Sequence, residues 1–216
     1  MKLTYFDIRG LAETSRILFA IGDEEYTDYR YPLEIIDMAT YDMKKVEFES
    51  DKKDGKLVKS LNKLPFLEVD GVIIPQSKSI ERFLAKRYNL MGGSDVEAFR
   101  IDSICECVRD FKDMYQKVRK FEGEEKETEM KKWFSETLVE RLELLEHSLD
   151  SSDFSVGYNL SLADIILFTF IKEFFDDKES AFNATETTPK IRGIINHVSN
   201  LERVKNWIEN RPKTDF

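Results

Sequence analysis

The sequence predicts an α/β domain over residues 1–88, a short linker at 89–95, and an all-helical domain over 96–216. Three observations carry that reading. The first ninety residues mix strand and helix periodicities. The stretch NLMGGSD at 89–95 gathers glycines and polar residues between two periodic segments. Beyond it, every long periodic stretch has helical spacing. At 216 residues the chain is long enough to bury two cores.

Residues 2–8 alternate and are rich in β-formers, as a first strand requires. Residues 11–21 have helical spacing through Ile17, Leu18 and Ile21, and stop at Gly22-Asp23. A second strand is expected over 25–31, ending at Pro32. The polar stretch 33–60 reads as one or two short helices broken at Asp54-Gly55. Asp70-Gly71 then separates the apolar runs 65–69 and 72–75, a strong two-residue hairpin signal. Gln76-Ser77 leads into a helix with Ile80, Phe83, Leu84 and Tyr88 on one stripe. In the second half, 96–121 and 125–149 read as two long antiparallel helices joined at the acidic turn 122–125. The charge run 124–132 is a solvated helix face. Ser161 with Asp164 forms a capping box, and Leu160 with Ile165 a hydrophobic staple, at the start of a buried helix over 162–175. A polar loop is expected over 176–188. Pro189 suits the first turn of another helix, and a last helix spans 201–210.

Charge and composition exclude several function classes. A net charge of −9 and a pI near 5.0 leave no basic stripe for nucleic acid or an anionic membrane surface. The longest apolar runs, such as 165–171, are far too short to span a bilayer, and MKLTYFDIRG at the start is no signal peptide. Cys105 and Cys107 are two apart in a helical pattern and fall on different faces, unsuited to a disulfide or a metal pair. His147 and His197 stand far apart. A cytoplasmic, metal-free protein is expected.

The segment 62–88 carries the first chemical hint. Pro65 offers no backbone donor, so at the mouth of a strand it marks an edge, a turn or a cis bond. A cis Leu64-Pro65 peptide would turn the carbonyl and amide of Leu64 outward, where an extended peptide can pair with them. Helix amides starting at Ser77 form an anion seat nearby. The plainer alternative is a hairpin followed by a helix. Together with the helical half, the order suits a thioredoxin-like unit with an appended bundle. Dithiol exchange needs Cys-x-x-Cys at the end of the first strand. That place holds Tyr5-Phe6-Asp7-Ile8, so the polar candidate is Tyr5, which could equally be an aromatic packed inward.

These stretches resemble the cytosolic glutathione transferases, most closely the sigma class that includes the glutathione-dependent prostaglandin D synthases. The resemblance rests on KLTYFDIRGLAETSR, LPFLEVDG, PQSKSIERFLAKRY, GYNLSLADIILF and VKNWIENRP, in order and nearly end to end. It implies that Tyr5 is the catalytic tyrosine, whose hydroxyl donates a hydrogen bond to the glutathione sulfur. It implies that the Leu64 main chain pairs with the cysteinyl part of glutathione. Gln76 and Ser77 would hold the γ-glutamyl end, and Asp110 would reach across a homodimer to the glutamyl amino group. Phe48 and Lys52 would serve the glycyl end, with Asn62 and Lys63 flanking it. A small apolar electrophile would sit against Phe111, Met114 and Tyr115, each of which reads equally well as helical core. Three departures stand out. Leu11 replaces an arginine of some sigma members. Arg109 replaces an aspartate of a divalent-ion site in vertebrate prostaglandin D synthases, which argues against metal activation. Insertions fall at 33–47 and around 176–188.

The first functional expectation is therefore an enzyme that conjugates glutathione to electrophiles, with peroxidase or isomerase chemistry open to the same thiolate. The second is a non-catalytic ligand carrier or lens-type structural protein. The joint presence of Tyr5, Pro65, Gln76 and Ser77 favours the enzyme. A third, a thioredoxin-like chaperone or partner module, predicts no affinity for glutathione.

Overall fold

The computed structural model describes residues 1–37, 42–151 and 153–214. The chain forms two compact units. The first comprises Met1–Leu84 and Trp207–Phe216, and the second Ala85–Asn206. The last stretch of chain thus returns to the first unit, in contrast to the expectation that all of 96–216 forms the helical domain.

Among the described residues, the first unit is built on a four-stranded sheet. Its strands are β1 (Lys2–Phe6), β2 (Thr27–Tyr31), β5 (Phe66–Val69) and β6 (Val72–Pro75), in the order β2-β1-β5-β6. β1 runs parallel to β2 and antiparallel to β5. The parallel pair needs a crossover, supplied by a 3-10 turn at Gly10–Ala12 and helix α1 (Glu13–Gly22). α1 ends where Asp23 turns left-handed at φ 52°, its N–H returning to the Ala20 and Phe19 carbonyls. Leu3 and Leu67, opposite each other in the sheet, are fully buried, as are Ile17 and Leu18 of α1 and Ile80 and Leu84 of α3 (Ser77–Arg87). The β5–β6 turn has Asp70 at φ 50° and Gly71 at φ 80°, the paired positive φ of a type I′ hairpin.

One expectation for this half changes. The stretch expected to be only helical opens with a hairpin, β3 (Glu34–Asp37) and β4 (Asp42–Lys44), which pairs Glu34 with Lys44 and Ile35 with Met43. Helix α2 (Val46–Lys53) follows, then a break at Asp54-Gly55 as expected, and a 3-10 turn at Val58–Ser60. The strands escape sequence reading because they are four and three residues long and rich in charge. Their pairing rests on cross-strand contacts such as the 3.3 Å Glu34–Lys44 ion pair.

The second unit is helical. α4 (Asp95–Val118) starts at Ser94, whose hydroxyl accepts the Glu97 N–H at 3.2 Å. α5 (Gly123–Lys132), a π turn at Trp133–Thr137 and α6 (Leu138–Glu146) make up the second long segment. α7 (Leu162–Thr169) has all eight residues buried and touches both α4 and α9 (Pro189–Asn200). Its capping box forms as expected. Asp164, wholly buried, accepts from the N–H and hydroxyl of Ser161 at 2.7 and 2.8 Å, and from those of Ser155. Burial pushes the Asp164 carboxyl up, while these donors pull it back down. The expected polar loop at 176–188 contains a short helix, α8 (Lys178–Asn183), capped by Asp177. Pro189 opens α9 as expected, and α10 (Glu202–Asn210) follows.

Candidate active site

Sheet register brings the sequence-predicted residues of the first unit to one end. Thr4 pairs with Phe66 at the end of the antiparallel ladder, so Tyr5 on one strand and the Leu64-Pro65 peptide on the other lie just past that end. Phe66 in turn pairs with Pro75, which delivers Gln76 and Ser77 to the same end. The Leu64-Pro65 peptide is cis. Leu61 and Asn62 lead into it with φ of 61° and 56°, and the Asn62 N–H is held by the Leu57 carbonyl at 2.9 Å. Asn62 and Lys63 are exposed, while Leu64 is half-buried.

Tyr5 is 6% exposed, and its hydroxyl oxygen accepts the backbone N–H of Leu11 at 3.2 Å. Burial pushes the phenol up from its ordinary value, only partly countered by the Leu11 hydrogen bond and the Arg16 charge. The hydroxyl therefore keeps its proton at neutral pH. With one lone pair engaged by Leu11, that proton is free to point at an incoming acceptor. Gly10, at φ 39°, makes the approach possible, because a Cβ there would lie 2.7 Å from the Tyr5 oxygen. The Leu11 side chain is 52% exposed. The departure noted at this position thus leaves its backbone donor in place.

At the head of α3 the chain turns through Gln76, exposed and at φ 74°, into helical Ser77, which is half-buried. Gln76 accepts the first helical N–H, from Ile80 at 3.1 Å, so it occupies the N-cap position and Ser77 is the first helical residue. A left-handed residue followed by helical ones is the alternation from which anion-binding nests are made, and the helix terminus adds its partial positive charge.

α2 sits beside this sheet end. Phe48 is 8% exposed and packs with Tyr31 and Leu57, with Phe6 and Leu64 against the cluster. Its ring lies 5.2 Å from that of Phe6. Phe48 is thus a packing residue. Lys52 is exposed, 6.0 Å from the Phe48 ring and 3.7 Å from the Glu49 carboxylate. Lys45, absent from the sequence-predicted set, places its ammonium 5.6 Å from the Phe6 ring. Hydrogen bonds from Tyr31 and Lys56 to Asp51, at 2.8 and 2.6 Å, fasten α2. The inserted hairpin and α2 together wall a cavity of about 530 Å³ lined by Pro32, Leu33, Glu34, Lys44, Val46 and Glu47 among others.

In the second unit, α4 carries Asp110, exposed, and Phe111, Met114 and Tyr115. Tyr115 is 1% exposed among the rings of Trp133, Phe134, Phe174 and Phe175 at 4.8 to 6.0 Å. It takes the core alternative. Phe111 is 8% exposed, 6.3 Å from Phe170, and Met114 is half-buried. Arg109 pairs with Glu106 at 2.7 Å. Cys105 is buried and Cys107 exposed, on different faces as the spacing requires. Sequence reasoning missed the Leu11 N–H and the buried pair Glu13 and Arg16. Backbone donors leave no trace in residue identity, although a glycine six residues before a buried arginine was a signal of a tight turn.

Comparison with known proteins places these features in context. Residues 109–211 match the family model described as "Glutathione S-transferase, C-terminal domain". Glutathione S-transferase S1 of Drosophila melanogaster is 32% identical over 99% of this chain and 79% of its own length. Hematopoietic prostaglandin D synthase of Gallus gallus is 31% identical, covering 99% of this chain and 97% of its own. A crystal structure of monomeric Na-GST-3, a glutathione S-transferase from the hookworm Necator americanus, superposes with a TM-score of 0.81 at 29% identity. It covers 100% of this chain and 98% of that one.

Proposed function

The chain belongs to the cytosolic glutathione transferases, of sigma-like type, and on that premise we propose how its own residues carry the reaction. It is a glutathione transferase. Glutathione is the co-substrate, and its sulfur is the nucleophile. A free thiol has a pKa of about 8.5, so most of it is protonated at neutral pH. A hydrogen-bond donor aimed at the sulfur favours the thiolate. Tyr5 is that donor. The observation that carries this reading is its buried hydroxyl, oriented by the Leu11 N–H.

The remaining roles follow from placement. The Leu64 main chain, at the sheet end that carries Tyr5, pairs with the cysteinyl backbone, and Gln76 and Ser77 hold the γ-glutamyl end at the head of α3. Lys52 serves the glycyl carboxylate, with Asn62 and Lys63 flanking it and Phe48 supporting α2 from its core. Asp110 reaches the glutamyl amino group of a partner subunit in a homodimer. A small apolar electrophile meets Phe111 and Met114 on α4, with Tyr115 backing them from the core. The reaction runs without a metal, since Arg109 puts a cation, paired with Glu106, where the related ion site needs a carboxylate. Among the described residues no helix is long and apolar enough to cross a membrane, and a cytoplasmic enzyme fits the reading.

The test is glutathione conjugation to a generic aryl halide by the native protein and by Tyr5→Phe. Loss of one preorganised donor is expected to lower kcat by about a hundredfold. An unimpaired Tyr5→Phe protein would sink this mechanism. Retention on immobilised glutathione with no turnover by the native protein would instead favour the carrier reading.

A further inference from the structure

Glu13, in the first turn of α1, is 3% exposed and gathers donors from the far end of the chain and from its own helix. Its Oε1 accepts from the Trp207 indole N–H at 2.8 Å and from Arg211 Nη1 at 2.6 Å. Its Oε2 lies 3.4 Å from Arg16 Nη1. Trp207 and Arg211 stand one helical turn apart, with the Arg211 N–H on the Trp207 carbonyl at 2.8 Å. Both belong to the first unit although they lie 194 and 198 residues from Glu13.

Arg16 extends the network. It is wholly buried, and its Nη1 donates to the Ile8 carbonyl at 2.7 Å and the Arg9 carbonyl at 3.3 Å. Its Nε donates to Asp28 at 3.1 Å, and Asp28 in turn is held by Arg30. Ile8 and Arg9 are the residues that lead from the Tyr5 strand into the 3-10 turn at Gly10–Ala12. That turn carries the Leu11 N–H to the Tyr5 oxygen. At 3.2 Å this hydrogen bond is near the long end of the normal range, so a few tenths of an ångström in the turn decide whether it exists.

We propose that Trp207 and Arg211 are positioning residues for Tyr5: by fixing Glu13 they orient Arg16, whose grip on the Ile8 and Arg9 carbonyls sets the Leu11 N–H on the Tyr5 hydroxyl. The inference rests on the reading of Tyr5 as the donor to sulfur. Loosening this chain of contacts removes the Leu11 donor from the phenol. The phenol then becomes a weaker acid and a weaker donor to the thiolate. A mere tether between chain end and α1 would change stability alone.

The thiol pKa of bound glutathione, followed by thiolate absorbance against pH, separates the two. Tyr5→Phe is expected to raise it by about 2 units, the effect of losing a direct donor to the charged form. Arg211→Met and Trp207→Phe are each expected to raise it by roughly 0.5–1 unit and to lower kcat about 3- to 10-fold, with the glutathione KM within about twofold. Arg211→Lys should recover part of the loss. In the Tyr5→Phe background, Arg211→Met should add nothing, because both act through one hydroxyl. If Arg211→Met and Trp207→Phe lower only the thermal midpoint and leave the thiol pKa at its native value while Tyr5→Phe moves it, the positioning role is overturned and Tyr5 keeps its own. If Tyr5→Phe leaves the thiol pKa unmoved, the role of Tyr5 falls and this inference falls with it.

Discussion

Tyr5 could be named from its place at the end of the first strand, but what fits it for the proposed donor role is a backbone group. The Leu11 N–H takes one lone pair of its hydroxyl, and burial keeps its proton on. Gly10 is the residue that permits the contact, by lacking a side chain and by accepting φ 39°. Gly10→Ala would set a Cβ 2.7 Å from the Tyr5 oxygen and 3.0 Å from its ring, at a positive φ that strains any side chain, so the turn or the phenol must shift. We expect kcat/KM for conjugation to fall about tenfold or more, most of it in kcat, since a misplaced donor acts on the transition state. Steady-state kinetics at several glutathione concentrations checks this, and wild-type kcat in Gly10→Ala would refute it. Residue identity also named Phe48 without revealing that its ring is core, because burial depends on what other segments place around it.

Elements with strong local chemistry were legible. Asp70-Gly71 set the β5–β6 hairpin because its two positive φ values suit those residues, and Ser161 with Asp164 set the start of α7. The cap does more than the sequence pattern implied. Asp164 also takes the N–H and hydroxyl of Ser155, nine residues upstream, and so ties a loop to the buried helix. Asp164→Ala would leave these donors unpaired in the core of the second unit. A loss of about 2–4 kcal/mol is expected, read by denaturant unfolding, with turnover per folded molecule retained. A near-native unfolding midpoint would contradict it. The short elements β3, β4 and α8 escaped notice. The strands carry too few residues for a period to register, and α8 announces itself only by Asp177 accepting the Ser180 N–H at 2.9 Å.

Asp110 is exposed on α4, as the proposed cross-subunit role demands, yet one structural relative is described as monomeric. The homodimer reading predicts sedimentation at twice the mass of the chain. It also predicts that Asp110→Ala raises the glutathione KM about 5- to 10-fold, the loss of one charge-assisted contact, with kcat little changed. A monomer, or an unchanged KM, would remove Asp110 from the site.

Caps, turns and periodicity are local chemistry within a few residues, so the family, the helix and hairpin starts and the residue types at the sheet end could be read along the chain. Folding adds that residues from Trp207 onward return to the first unit, that Tyr115 and Phe48 are core, and that Glu13 joins Trp207 and Arg211 to the turn beneath Tyr5. Those outcomes depend on ring packing between separate elements and on hydrogen bonds between groups as much as 198 residues apart. No local pattern encodes such pairs, and they exist only once the chain has closed on itself.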